Sequence, residues 1–348
     1  MRLEHRGFTV PLSRPLGTAR GEITEREGVL VRVGDGDRHG VGEAAPLPGW
    51  TESLAACRDA LERAAAALPE GPDAALDALD AVDADRPAAR HALSLALADL
   101  RAARAGVPLY RYLGEESAVT AVPANATVGD APPRETARRA SDAVADGVDC
   151  VKVKVGARSV DDDVRRLRAV RDAVGRGVEL RADANGAWTP EQAERAFAAF
   201  ADCGVAVVEQ PLPAEDLDGH AALRGGPVGV ALDEGIGTHG VDAVLDADAA
   251  DAVVLKPMAL GGVDRARAAA LRARRAGVTP VVTTTVDAVV ARTAAVHLAA
   301  SLPELPACGL ATAEWLADDL AADPAPVSDG EIHVPQLPGN GTTGAWVR

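Results

Sequence analysis

Short runs of β-branched and apolar residues recur along most of the chain, separated by Ala-, Arg- and Asp-rich stretches with helical spacing. From about residue 119 the runs are VPANATV, CVKVKV, VELRADA, VAVVEQP, VGVALDE, AVVLKPM and PVVTTT. Helices are expected between them over 160–175, 190–203, 240–248 and 263–276. Strand alternating with helix at regular intervals predicts parallel strands joined by right-handed crossovers. Seven or eight such units in about 200 residues suit a closed (β/α) barrel better than an open sheet.

The first ~118 residues have another rhythm. GVLVRVGD alternates as a strand, HGVGEAAPL reads as its hairpin partner, and GDGDRHG is the turn between them. No helix follows that glycine-containing turn, so it is not a nucleotide loop. PLPGWTES reads as a loop ending in a helix cap, and two alanine-rich helices follow, roughly 52–67 and 87–105. The expected fold class is therefore α/β. An α+β domain spans 1–118 and a TIM-like (β/α) barrel spans 119–324. The tail, 325–348, has strand character without a helix partner and is expected to return to the first domain.

Composition narrows the function. A chain of 348 residues with 47% hydrophobic content can bury a large core. A net charge of -16 excludes nucleic acid as a partner, because a polyanion needs a basic patch. MRLEHRGFTV lacks the apolar run of a signal peptide. The longest apolar stretch, 281–302, is interrupted by Asp287, Arg292 and His297, so no membrane span is expected. A soluble cytoplasmic protein follows. Cys57, Cys150, Cys203 and Cys308 lie far apart with no CxxC and read as reduced core residues. Asn125 and Asn340 begin glycosylation sequons without a secretory context, and His220 and His239 are expected on the surface. Of the 36 basic residues only Lys152, Lys154 and Lys256 are lysine. The lysine-poor, aspartate-rich composition suggests a halophilic, high-salt cytoplasm, and drift in a GC-rich genome would produce the same bias.

Those three lysines belong to a larger pattern. Near the C-terminal end of successive strand runs stand Lys152 and Lys154, then Asp183, Glu209, Asp233 and Lys256. The gaps after Lys154 are 29, 26, 24 and 23 residues, about one βα unit each. In a barrel these positions form one ring around the mouth. Lys152 and Lys154, two apart on a strand, share a face, and Val151, Val153 and Val155 take the other. Three carboxylates without His or Cys form a hard oxygen set that favours Mg²⁺ over zinc. Lysines on either side of them suit removal of the proton α to a carboxylate, so a small carboxylate substrate is expected. Arginine stays protonated and cannot be that base. Two ammonium groups roughly 7 Å apart repel by roughly 2 kcal/mol at an effective dielectric near 20, which lowers a lysine pKa toward neutrality.

KVK, DAN, EQP, DEG and LKP, in this order on successive strands, resemble the muconate-cycloisomerase subgroup of the enolase superfamily. The resemblance covers essentially the whole chain. It implies a capping α+β domain over a (β/α)7β barrel, with Mg²⁺, or Mn²⁺ as a substitute, held by Asp183, Glu209 and Asp233. PVVTTT offers no histidine base, which disfavours the mandelate-racemase subgroup. GVGEAAPLPGW, RADAN and LKPMALGG resemble the o-succinylbenzoate synthase family, which dehydrates a succinyl-hydroxycyclohexadiene carboxylate on the route to menaquinone. That resemblance makes Lys154 the base, which then protonates the departing hydroxyl. Lys256 supports the enediolate from the other face, and Lys152 holds its partner's environment. Arg181 and Asn185 would stand behind the metal ligands, and the loop of Pro48, Gly49 and Trp50 would close over the substrate. N-succinylamino acid racemases carry the same metal and lysine set and remain the alternative. Dipeptide epimerases show Asp-x-Asp after the last strand. Here that region reads CGLATAEWLADDL, with Asp318 and Asp319 expected deep in a helix. Muconate-lactone cycloisomerisation is less supported, and a non-catalytic binding barrel would leave six site residues idle.

Overall fold

The computed structural model describes residues 1–348 except 19–20, 35, 37, 81–84, 115 and 348 and the side chain of Thr18. Alternating residues near the N-terminus build an antiparallel sheet of β1 (Arg2–Thr18), β2 (Gly21–Gly34) and β3 (His39–Ala44), paired in that order. Asp35 and Asp37 of the expected turn lie outside the described residues. The alternation decides the packing. Val29, Val31 and Val33 of β2 join one apolar cluster with α1 (Leu54–Ala67), α2 (Pro72–Asp80) and α3 (Pro87–Ala105), while Leu30 joins another on the opposite face. Ser53 caps α1 by accepting from Ala56 N, as the loop reading expects, whereas α2 was not expected. A short α4 (Leu109–Tyr112) follows.

VPANATV forms two strands rather than one. β4 (Ala121–Pro123) runs antiparallel to β13 (Glu331–His333), itself paired with β12 (Val327–Ser328). β5 (Ala126–Val128) opens the barrel. The break falls where Ala124 bridges Cys308 and Asn125 N donates to the Cys308 carbonyl at 2.9 Å. Parallel strands then follow in sequence order: β6 (Cys150–Lys154), β7 (Glu179–Asp183), β8 (Val205–Glu209), β9 (Gly229–Leu232), β10 (Ala252–Leu255) and β11 (Thr279–Val282). Between them run α5 (Pro133–Ala145), α6 (Val160–Val174), α7 (Pro190–Asp202), α8 (Leu217–Leu223), α9 (Glu234–Asp246), α10 (Pro257–Leu260) and α11 (Val263–Arg275). Cys308 bridges Ala124 at one edge and Gly309 bridges Thr283 at the other, so a short segment fills the eighth position. The fold is that of a (β/α)7β barrel.

Expectations change at the start of α9 and at Asp318 and Asp319. α9 begins at Glu234, directly after β9, and only Gly240, at φ 78°, interrupts it near the expected start. The apolar stretch 281–302 holds the end of β11 and α12 (Val289–Ala300), every residue of which is buried. Among the described residues no helix is long and apolar enough to cross a membrane. Asp318 and Asp319 are not in a helix. Leu316 bridges Leu12 and Ala317 N donates to the Pro11 carbonyl, so this segment is drawn against β1 instead. The tail turns back past β4. Its Gly339 carbonyl accepts from Leu109 N (2.8 Å), Asn340 N donates to Asp99 (2.7 Å), and Trp346 lies under Arg32. All four cysteines are buried and free, and both sequon asparagines are buried.

Candidate active site

Register brings the strand-end residues together. Lys154 lies opposite Asp183 across β6 and β7, and Asp183 lies opposite Glu209 across β7 and β8. Asp233 follows β9 at the N-terminus of α9, and Lys256 follows β10 at the N-terminus of α10. The lysines of β6 and β10 therefore flank the three carboxylates of the strands between them. Val151 and Val153 point the other way, into the core with Leu167 and Val170 of α6, as the alternation requires.

The side chains meet as ion pairs. Lys152 Nζ donates to both oxygens of Glu209 at 2.9 Å and lies 3.1 Å from Asp183 Oδ2. Lys154 Nζ donates to the same Asp183 oxygen at 2.6 Å and to Asn185 Oδ1 at 2.8 Å. Lys256 Nζ donates to Asp233 Oδ2 at 2.7 Å and sits 3.3 Å from the centre of the Trp50 ring. Trp50 arrives there because Leu47 closes a tight turn: its carbonyl accepts from Trp50 N and Thr51 N, and its N–H donates to Thr51 Oγ1. Pro48 and Gly49 form the exposed tip of that turn. Asn185 also donates to Glu234 Oε1 at 3.0 Å. Arg181 does not reach the carboxylates. Two residues earlier on β7, its guanidinium pairs with Glu179 (2.6 Å) and the Ala307 carbonyl (2.8 Å).

The carboxylates set the electrostatics around Lys152. Burial alone would push the Lys152 ammonium down, but Glu209 and Asp183 outweigh it and its pKa is raised. The repulsion between neighbouring lysines is therefore not the deciding effect at Lys152. Burial opposes ionisation of Asp183, and Lys152 and Lys154 more than offset it, holding that carboxyl well below its ordinary value. Glu209 is pushed up to about 7 by burial and by the Asp183 charge. Burial also raises Asp233 against the pull of Lys256.

The donor set fits a hard divalent cation. Three carboxylates converge, and Asp233 Oδ1 and Glu234 Oε2 are buried without a hydrogen-bond partner. Among the described residues no group of three or more His, Cys, Asp or Glu side chains is already set to hold an ion. Each of the three carboxylates takes a lysine instead, and a cation would compete with those ammonium groups for the same oxygens.

Sequence reasoning passed over several polar residues. His220 is fully buried rather than on the surface, where it contacts Gln210 and the Leu212 N–H, and His239 is half-buried against the Ala214 carbonyl. Gln210, the middle residue of EQP, is fully buried and accepts from Asp233 N and Gly235 N. A polar residue directly after a strand-end carboxylate was the available signal.

Comparison with known proteins agrees with this geometry. The family model described as Enolase C-terminal domain-like matches residues 135–345, and one described as MenC, N-terminal domain matches residues 4–100. The chain belongs to the enolase superfamily. It is 30% identical to the L-Ala-D/L-Glu epimerase of Bacillus subtilis, over 99% of this chain and 97% of that one. It is 43% identical to the o-succinylbenzoate synthase of Thermobifida fusca, over 58% of this chain and 63% of the relative. Among solved structures, that of the Bacillus subtilis epimerase in a substrate-liganded complex superposes with a TM-score of 0.89 at 29% identity, covering 99% and 98% of the two chains. A dipeptide epimerase from Enterococcus faecalis, complexed with Mg and L-Leu-L-Tyr, gives 0.87 at 27% identity, with 98% of each chain covered.

Proposed function

We propose that this enzyme is an o-succinylbenzoate synthase, a Mg²⁺-dependent hydro-lyase acting on a succinyl-hydroxycyclohexadiene carboxylate. Residues 1–118 cap the barrel of residues 119–324, and the Pro48–Gly49–Trp50 turn covers the substrate. Asp183, Glu209 and Asp233 would hold the divalent ion, whose charge offsets the negative charge that collects on the substrate carboxylate as the α proton leaves. Lys154, more than a third exposed, takes that proton. The ring C–O bond then breaks, and the departing hydroxide takes the proton back from Lys154 and leaves as water. Lys256, held by Asp233 and backed by Trp50, supplies fixed positive charge on the opposite side. Lys152, bridged to Glu209 and Asp183, stays charged and orders the carboxylates.

The observation that carries this reading lies after the closing segment. A dipeptide brings an ammonium that needs a carboxylate, and dipeptide epimerases show Asp-x-Asp there. Here GLATAEWL holds only Glu314, which is exposed beside Arg14. Asp319 is committed elsewhere, accepting from Val289 N and pairing with Arg292. The identity to the Thermobifida fusca enzyme and the match to the MenC N-terminal domain support the same choice. The full-length likeness to the Bacillus subtilis epimerase keeps epimerisation as the second reading. Measured with Mg²⁺, kcat/KM for dehydration should far exceed kcat/KM for racemising N-succinylamino acids or for epimerising L-Ala-L-Glu. A reversed ranking reassigns the enzyme to whichever reaction leads.

A further inference from the structure

We infer that Gln210 and His220 are positioning residues for Asp233, keeping its carboxylate free for the divalent cation; this deepens the metal reading above and rests on it. An N-cap residue ordinarily uses its own side-chain oxygen to accept from the first N–H groups of its helix. Ser53, Ser159 and Thr189 do so for α1, α6 and α7. Asp233, at the same position of α9, does not. Gln210 does it in its place: its Oε1 accepts from Asp233 N at 3.1 Å and from Gly235 N at 2.9 Å. The Asp233 carboxylate is thereby released toward the mouth, where Oδ2 meets Lys256 and buried Oδ1 has no partner.

The backbone of Gln210 is held as firmly as its side chain. It adopts φ 41°, a left-handed conformation costly for a residue with a side chain. Its carbonyl accepts from Gly186 N at 2.7 Å and its N–H donates to the Ala231 carbonyl at 2.8 Å, which ties the ends of β7, β8 and β9 together. His220 then sets which way the amide faces. Its Nδ1 donates to the Asp216 carbonyl at 2.6 Å, so its Nε2 is an acceptor. Gln210 Nε2 donates to that nitrogen at 3.2 Å and to the Leu212 carbonyl at 3.0 Å. Burial pushes the His220 pKa down, consistent with a neutral ring. Turning the amide over would set NH₂ against two N–H groups and oxygen against a carbonyl and a ring lone pair, losing all four bonds. Without Gln210, Asp233 has the usual reason to swing back and cap its own helix.

The test is Mn²⁺ titration of metal-stripped protein, with free Mn²⁺ read by electron paramagnetic resonance and urea midpoints measured alongside. Gln210→Leu and His220→Leu should weaken Mn²⁺ binding by about 10–100-fold, the usual cost of losing a group that orients a ligand. His220→Gln, which offers an amide oxygen near the place of Nε2, should recover most of that loss. A merely structural His220 would lower the urea midpoint of His220→Leu and leave Mn²⁺ affinity unchanged, and that result overturns the inference. Should Gln210→Leu fail to fold, the His220 pair decides by the same criterion. Mn²⁺ bound equally by all variants overturns this inference alone. Mn²⁺ bound by neither wild type nor variants overturns the cofactor reading and this inference with it.

Discussion

All three lysines of the chain stand at the barrel mouth, whereas in the seam between the N-terminal sheet and the barrel the buried positive charge is arginine. At the mouth, ammonium groups face carboxylates and two carboxylate oxygens are left without partners. In the seam, guanidinium groups are spent on fixed acceptors. Arg26 donates to the carbonyls of Ala45 (2.6 Å), Pro46 (3.1 Å) and Val286 (3.1 Å). Arg90 bonds the Gly261 carbonyl and Asp264, and Arg292 pairs with Asp319 and Asp323. A guanidinium offers five N–H donors in a rigid fork and never gives up its proton, so it suits a joint between backbones. An ammonium can lose a proton, so it suits a site where one must move. The two regions use like charge for opposite purposes: the seam satisfies its groups, and the mouth keeps some in reserve.

Exchanging the two residue types between the regions should break the comparison most sharply. Lys154→Arg keeps the charge and removes the proposed proton acceptor. A loss of about 10²–10⁴-fold in kcat is expected, the usual contribution of general acid–base catalysis, with a near wild-type urea midpoint. Lys256→Arg should cost less in dehydration, where that residue supplies charge, and as much as Lys154→Arg if the reaction is racemisation, where both lysines exchange protons. Activity near wild type in Lys154→Arg would remove the base assignment.

The converse exchange, Arg26→Lys, keeps the charge in the seam but cannot reach three carbonyls. Each buried carbonyl left bare costs about 1–3 kcal/mol, so urea unfolding should show a loss on that scale. The bond to Val286 matters further, because this β-branched residue sits at φ 60°, braced by the Arg26 bond to its carbonyl and by Thr284, which accepts from its N–H. An unchanged urea midpoint in Arg26→Lys would mean that the seam does not depend on its arginine fork.

The same contrast explains what could be read from the sequence. The mouth was legible because each βα unit repeats one device, a polar residue where an apolar strand ends, and five repeats in step leave little freedom. The seam was not. Arg26 and Glu43 sit in ordinary strand patterns, and the partners that join them to the barrel, the loop after β11 and the start of α12, lie some 240 to 260 residues away. α12 escaped because burial on all sides erases the amphipathic period that marks a surface helix. His220 was misplaced for a similar reason. A seven-residue helix shows too little period to say which side faces inward, and the partner that explains the histidine, Gln210, lies on the preceding strand connection. VPANATV looked like one strand because only distant Cys308 and β13 divide it between two sheets.

The smallest effect concerns pH and isolates a seam carboxylate that is not held by an arginine fork. Glu43 is fully buried; its oxygens accept from Ala288 N (2.8 Å) and Ala291 N (2.9 Å) at the start of α12, with Arg26, His91, Asp287 and Asp319 around it. Burial, and then the Asp287 charge, push its pKa from 4.5 up to about 8 despite those two N–H bonds. A carboxyl whose folded pKa lies above its unfolded one binds its proton more tightly when folded. Stability from this group is thus full below pH 4.5 and is lost as pH rises toward about 8. Glu209, raised to about 7, slopes the same way, so the wild-type curve alone does not separate them. Glu43→Gln does: its urea midpoint should decline less between these pH values than that of wild type, although the amide starts lower because only its oxygen can accept. Parallel declines in the two proteins would show that Glu43 is already ionised in the seam, held so by the N-terminal N–H groups of α12. The seam would then hold its carboxylates as charged as its arginines.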